Sequence, residues 1–245
     1  MKKICLISPK FLDYVGGMET HAYEFANWVD RDPDLELVSI ITKKEVSDGI
    51  LVQRSKSNYL DKYVKRVLTA NFDKDLDCIL SNSPEETDVY FFNSPNWIPI
   101  VEGLKKLRGN AKIIVRSGGT DLVAGWIGNE NDVSQNIITN RKIVSNIINS
   151  YVDLLIVNSE FSRKRCAKIG IDESKMLVVL GGVDCSLFNP VFKLNNSEKI
   201  KILHVSRFVT CKGVENTLKV FKLALDKLDF DLIIIPHSFA VVGKN

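Results

Sequence analysis

The residues best placed to do chemistry lie in the run KILHVSRFVTCKGVENTLKVF, where a strand pattern ends near Ser206, Arg207 follows, and Lys212 and Gly213 open a helix. Two cations at a strand-to-helix junction make a diphosphate site that needs no metal. Arg offers phosphate a planar fork, Lys a point charge, and the free N–H groups of the helix's first turn a row of donors. Simple solvation of both side chains at the surface is the competing reading, and the order strand, Arg, loop, Lys-Gly, helix favours phosphate. A second stretch, KFLDYVGGMETHAYEFA, sets Gly16 and Gly17 just ahead of a helix that begins near Met18. Paired glycines let the backbone turn tightly and approach a ligand, although the pattern is not G-x-G-x-x-G and also fits a plain βα turn. His21, alone on that helix, reads as a packing or surface residue. In VRSGGTDL, Gly118, Gly119, Thr120 and Asp121 fall past the carboxyl end of a strand, where open α/β sheets bind ligands. Asp121 there orients a sugar hydroxyl or, equally well, caps a helix. Arg116, at the end of that strand, either pairs locally or faces the cleft.

The elements that must position these residues follow from the spacing of apolar side chains. Short apolar runs predict buried parallel strands near Ile4–Ser8, Leu37–Thr42, Val89–Phe92, Lys112–Arg116, Leu154–Asn158, Met176–Leu180, Ile200–Ser206 and Leu232–Ile235. Three- and four-residue steps predict helices at Glu19–Val29, Tyr59–Asn71, Ile98–Leu107, Val133–Ser150, Glu160–Ile169 and Val214–Lys227. Strand and helix in alternation indicate a doubly wound α/β sheet. The helix expected within RSKSNYLDKYVKRVL would carry Lys62, Lys65 and Arg66 beside an apolar face. Core packing with a solvated rim is its favoured role, and docking on anionic lipid is the alternative.

A polar break divides the chain into an N-terminal domain over 1–190, a linker over 191–199 and a smaller C-terminal part over 200–245. That last part holds strand, helix and strand, and two parallel strands do not bury both their faces, so the second domain is expected to be unfinished.

The 245 residues are 45% hydrophobic and 26% charged with a net charge of +3, a globular composition with no basic stripe for nucleic acid. Five scattered cysteines, none in a C-x-x-C pair, suit neither a disulfide framework nor a zinc site, and read as free thiols in the cytoplasm. No metal site is expected, and any membrane contact would be peripheral, at the inner membrane face.

The fragments GGMETHAYEFA, VNSEFSRKRCAKIGID, GGVDCSLFNP and HVSRFVTCKGVENTLKVF, in this order, resemble the retaining glycosyltransferases of family 4 over essentially the whole chain. The resemblance implies a GT-B fold: a complete N-terminal Rossmann-like domain on the acceptor side, and a second Rossmann-like domain, here incomplete, that holds a nucleotide diphosphate sugar without metal or other cofactor. It implies that Arg207, Lys212 and Gly213 hold the donor's phosphates, that Gly16 and Gly17 border the cleft, and that the acceptor is a glycan or lipid-linked sugar in polysaccharide biosynthesis. The sequence departs from the family in two ways. Gly118 stands where the family carries the histidine of an HG-x-D pattern, and the family's downstream glutamate pair would lie beyond residue 245. The chain alone is therefore expected to show little or no turnover until the missing half is restored in cis or supplied by a second chain. A non-catalytic acceptor- or partner-binding half is the alternative, and a nicotinamide oxidoreductase is disfavoured because the dinucleotide fingerprint is missing.

Overall fold

The structure, a computed structural model, describes residues 1–11, 17–43, 59–69, 71–118, 122, 127–128, 134–186, 188, 200–206, 212–225 and 230–236. The chain divides into two compact units, Met1–Gly182 and Val183–Asn245. The linker expected over 191–199 lies outside the described residues.

The larger unit is built on seven parallel strands: β1 (Lys2–Ile7), β2 (Leu35–Lys43), β3 (Val64–Leu68), β4 (Val89–Phe92), β5 (Lys112–Ser117), β6 (Leu154–Val157) and β7 (Met176–Val178). They lie side by side in the order β3-β2-β1-β4-β5-β6-β7. Its helices are α1 (Gly17–Arg31), α2 (Phe72–Ser81), α3 (Ile98–Leu107), α4 (Gln135–Tyr151) and α5 (Glu160–Lys168). From β1 the chain steps outward through β2 and β3, then crosses back to lay β4 on the other side of β1. The order of strands thus reverses between β1 and β4, the place where such sheets take ligands.

Period-two alternation along each strand makes two cores, one on each face of the sheet. Cys5, Ile7, Tyr90, Phe92, Ile113, Val115, Leu155 and Val157 face one way, against Ile79 of α2, Val101 and Leu104 of α3, Val144 and Ile148 of α4 and Cys166 of α5. Ile4, Leu6, Ile40 and Phe91 face the other way, against Ala22, Ala26 and Val29 of α1. Burial pushes the Cys5 thiol up to about 12 and the Cys166 thiol up to about 11, so both behave as apolar packing groups. Between the layers, the buried Asp75 carboxylate accepts from Trp97 Nε1 at 2.9 Å and from the Thr69 backbone N–H at 2.6 Å. It ties the exit of β3, helix α2 and the turn after β4 into one clamp.

The expected strands and five of the six expected helices form, with ends that coincide or shift by one or two residues. The helix expected over Tyr59–Asn71 does not. A 3₁₀ turn at Tyr59–Tyr63 runs straight into β3, which pairs with β2 through Ile40↔Val64, Ile41↔Lys65 and Thr42↔Arg66. Val64, Val67 and Leu68 fit either period over so short a run, and the open edge of β2 supplies the hydrogen-bonding partner that selects the strand. Lys65 and Arg66 are therefore exposed charges on an edge strand, where they discourage pairing with another chain, and the lipid-docking helix is withdrawn. Asn71, the last residue of the expected helix, is instead the N-cap of α2, its side chain accepting from Lys74 N at 3.3 Å.

In the smaller unit, β8 (Ile200–Ser206) and β9 (Phe230–Pro236) pair in parallel, with α6 (Val214–Leu225) between them in sequence. Leu203 pairs with Ile233 and Val205 with Ile235, and these four side chains are 58%, 44%, 54% and 46% exposed. No helix among the described residues is long and apolar enough to cross a membrane.

Candidate functional site

Parallel strands in one sheet end together, so whatever residue follows each apolar run arrives at the same edge. At the carboxyl edge of the larger unit these residues are Ser8 after β1, Asn93 after β4, Gly118 after β5 and Asn158 after β6. Each is small or neutral and hydrogen-bonding.

Asn93 sits at the strand-order reversal and is fully buried. Its backbone N–H donates to Ile7 O at 2.8 Å, extending the β1–β4 ladder by one residue. Its side-chain nitrogen donates to Ser8 Oγ at 3.3 Å and to Met18 O, in the first turn of α1, at 2.9 Å. Its Oδ1 accepts from Arg116 Nη1 at 3.3 Å. One amide thus joins the ends of β1, β4 and β5 to the start of α1. Ser8 Oγ in turn donates to Lys10 O at 2.8 Å, which shapes the turn leaving β1. Farther along the edge, Asn158 Nδ2 donates to Gly118 O at 2.9 Å while its Oδ1 accepts from Ser162 Oγ at 3.0 Å. Ser159 caps α5 through the Ser162 N–H at 3.1 Å.

His21 completes the cluster from α1. Its ring stacks near Phe25 and Phe91, with centroids 6.5 and 6.4 Å away. Burial first, and then the Arg116 charge, push the imidazole down to about 4, against an opposing contribution from the Asn93 amide. The ring is neutral at physiological pH. Its Nδ1 is buried without a hydrogen bond of good geometry, despite the nearby Asn93 amide. Half-buried beside Phe25 and Phe91, His21 packs, as its isolation on the helix suggests.

Gly17 opens α1, and a Cβ placed on it would meet no atom within 4 Å. Among the described residues, nothing in the packing requires glycine there. Gly16, Gly119, Thr120 and Asp121 lie outside the described residues. Arg116, for which the sequence left two readings open, stands at the carboxyl edge in contact with Asn93.

In the smaller unit Lys212 is exposed, and Gly213 has a φ of +66°, a left-handed conformation that favours glycine, immediately before α6 begins. Thr217 N bonds back to Gly213 O at 2.9 Å, which starts the helix and leaves the N–H groups of its first turn unpaired within the helix. His204 and Ser206, at the end of β8, hydrogen-bond each other at 2.7 Å. Arg207 lies outside the described residues. Among the described residues no group of His, Cys, Asp or Glu is arranged to hold a metal ion.

The sequence reading missed Asn93, Ser8 and Asn158. The signal that would have found them is the first polar residue after each apolar run, in VYFFN, CLIS and LLIVN.

No family model and no curated protein matches the chain. Solved structures do. HepE from Anabaena in complex with UDP-glucose aligns with a TM-score of 0.58 at 15% identity, covering 96% of this chain and 60% of HepE. The same protein with UDP aligns at 0.57 and 14%, covering 97% and 70%. The lipopolysaccharide outer core galactosyltransferase WaaB, in its apo form, aligns at 0.61 and 14%, covering 95% and 60%. This chain thus spans 60 to 70% of the length of HepE and 60% of that of WaaB. Its architecture, a Rossmann-like parallel sheet followed by a smaller α/β unit, is the GT-B fold.

Proposed function

We propose that the chain belongs to a retaining glycosyltransferase of family 4 type that moves a hexose from a nucleotide diphosphate sugar to a glycan or lipid-linked acceptor in the cytoplasm. The observation that carries this reading is the carboxyl-edge cluster on a GT-B fold: amides and hydroxyls from Ser8, Asn93 and Asn158, with one guanidinium and one neutral imidazole. Asn158 and Arg116, both half-buried, are of types that pair with sugar hydroxyls, and the buried Ser8 and Asn93 fix the edge behind them. The likeness to a protein that binds UDP-glucose and to a galactosyltransferase supports the same class of substrate.

In this reading Arg207, Lys212 and the first turn of α6 at Gly213 receive the donor's diphosphate. As the bond from the anomeric carbon to phosphate breaks, their charge stabilises the departing oxygen, and no divalent metal is required. The acceptor oxygen bonds to the anomeric carbon on the face the diphosphate leaves, and its proton goes to the leaving phosphate. Gly16 and Gly17 give the ligand room beside α1, and Asp121 orients a sugar hydroxyl.

Calorimetry of the full chain with UDP-glucose, UDP-galactose and GDP-mannose, alongside a transfer assay, tests the proposal. Binding of at least one, weakened in Arg207→Ala and in Lys212→Ala by about 1.5 to 3 kcal/mol each, supports it. Failure to bind any nucleotide sugar or nucleoside diphosphate refutes it. A second reading, a half that works only with a partner chain, draws on the exposed apolar face of Leu203, Val205, Ile233 and Ile235. Binding without turnover, with turnover restored by an added chain, would favour it.

A further inference from the structure

We propose that a cavity between α4, α5 and the turn at Ile127 and Gly128 is a binding site for a phosphate group, carried by inorganic phosphate or by a small phosphomonoester. The cavity has a volume of about 130 Å³ and is lined by Ile127, Gly128, Arg141, Arg165, Lys168 and Ile169. It lies within the larger unit and uses none of the carboxyl-edge residues. Three of the residues that line it are cations, and among the described residues no carboxylate does.

The turn gathers these charges. Gly128 has a φ of +63°, and a Cβ on it would stand 3.1 Å from Ile137 Cγ2, so a larger residue there would be both strained and crowded. Two consecutive carbonyls of the turn hold two guanidiniums from different helices: Ile127 O accepts from Arg141 Nε at 2.8 Å, and Gly128 O from Arg165 Nη2 at 3.1 Å. Lys168 follows Arg165 on the same face of α5. Arg141 and Arg165 are half-buried and Lys168 is exposed, which leaves the cavity open to solvent. Each of the three cations has a further interaction within the chain, and what they share is this cavity. Stapling the turn to two helices accounts for the carbonyl bonds, but not for a third cation beside a space left unfilled in a packed fold. Like charges around one space repel, and an anion relieves that cost. The space is well below the roughly 300 to 1,000 Å³ of sites that enclose a whole drug-sized ligand, so it suits one anionic group and not a nucleotide. A phosphomonoester brings about −1.5 to −2 charges on three oxygens, which arginine forks grip in pairs and a lysine meets as a point charge. A carboxylate, with one charge and two oxygens, matches three cations less well.

The test uses the full chain carrying Arg207→Ala and Lys212→Ala, so that the phosphate site proposed in the smaller unit does not contribute. Inorganic phosphate and glycerol phosphate are the probes, with acetate at equal ionic strength as the control. Binding is read by calorimetry and by ¹H–¹⁵N spectra of the Gly128 N–H and the Arg141 and Arg165 Nε–H groups. Both phosphates should bind at millimolar concentration or below and move those resonances, and acetate should bind about tenfold more weakly. Lys168→Gln should weaken phosphate binding about fivefold, and Arg165→Lys, which keeps the charge and loses the fork, by about the same factor. Tighter binding of glycerol phosphate would make an esterified phosphate the occupant, equal affinity would make it free phosphate, and either supports the site. Unmoved resonances, acetate bound as tightly as phosphate, or an affinity unchanged in Lys168→Gln would overturn it. If Arg165→Lys fails to fold, Lys168→Gln on the exposed rim decides alone.

Discussion

The two edges of the seven-stranded sheet are made of different chemistry. At the amino edge the contacts are ionic: Lys2 with Asp88 at 3.1 Å, Lys3 with Glu86 at 3.1 Å, and Lys105 and Lys112 with Asp153 at 3.0 and 2.9 Å. Two of these carboxylates also accept backbone N–H groups at strand starts, Asp88 from Lys3 and Asp153 from Ile113. The charges there are mutually satisfied. At the carboxyl edge the contacts described are mostly amide to hydroxyl or carbonyl, through Ser8, Asn93 and Asn158. An edge whose charges are neutralised within the fold has little left for a ligand, whereas at the carboxyl edge Ser8 and Asn93 are buried and bonded within the fold and the half-buried Arg116 and Asn158 stay within reach of solvent. The amino edge serves stability, and in the proposed reading the carboxyl edge serves recognition.

The sharpest way to break that division is Asp153→Ala, which removes one acceptor from two lysines and from Ile113 N–H. Discounted for the water that reaches these side chains, it should cost about 2 kcal/mol in chemical denaturation and leave UDP-glucose affinity unchanged. Lost affinity would show that the amino edge also serves binding. Burial raises the proton affinity of Asp153, but the Ile113 N–H and the two lysines outweigh it and hold its pKa below the usual value. Its contribution is therefore present above about pH 4 and fades as pH falls further.

Asn158→Ala should do the reverse at the carboxyl edge. Losing the bonds to Gly118 O and from Ser162 should cost about 1 kcal/mol of stability and weaken sugar binding several-fold. A stability loss with intact binding would confine the site to the β1–β4 reversal.

His21 sharpens the comparison through pH. Its folded pKa of about 4 lies below the ordinary value of 6.5, so the unfolded chain binds the extra proton first. The stability linked to His21 is complete above about pH 6.5 and is lost as pH falls toward 4. His21→Gln should flatten the melting temperature across that window, and an unchanged slope would mean that other groups set it. The smallest effect is expected at Glu86→Gln on the amino edge, where an exposed pair with Lys3 should leave the melting temperature unmoved at 0.15 M salt.

The sequence by itself determined the alternation of strand and helix, because buried parallel strands must be short apolar runs and their crossover helices must carry a three-to-four-residue stripe. VYFF and IPIVEGLKKL begin and end where that pattern puts β4 and α3. Local chemistry also marked Lys212–Gly213 as the start of a helix, since the turn there requires the φ of +66° that glycine adopts readily. The fate of VKRVL depended on the structure alone. Five residues satisfy both periods, and only the unpaired edge of β2, remote in sequence, makes the strand the lower state. The site was hidden for the same reason. Ser8, Asn93 and Arg116 are separated by long stretches of chain, and nothing local distinguishes Asn93 from any other polar residue after a strand. Only the reversal of strand order between β1 and β4 sets its amide against Ser8, Met18 and Arg116 at once.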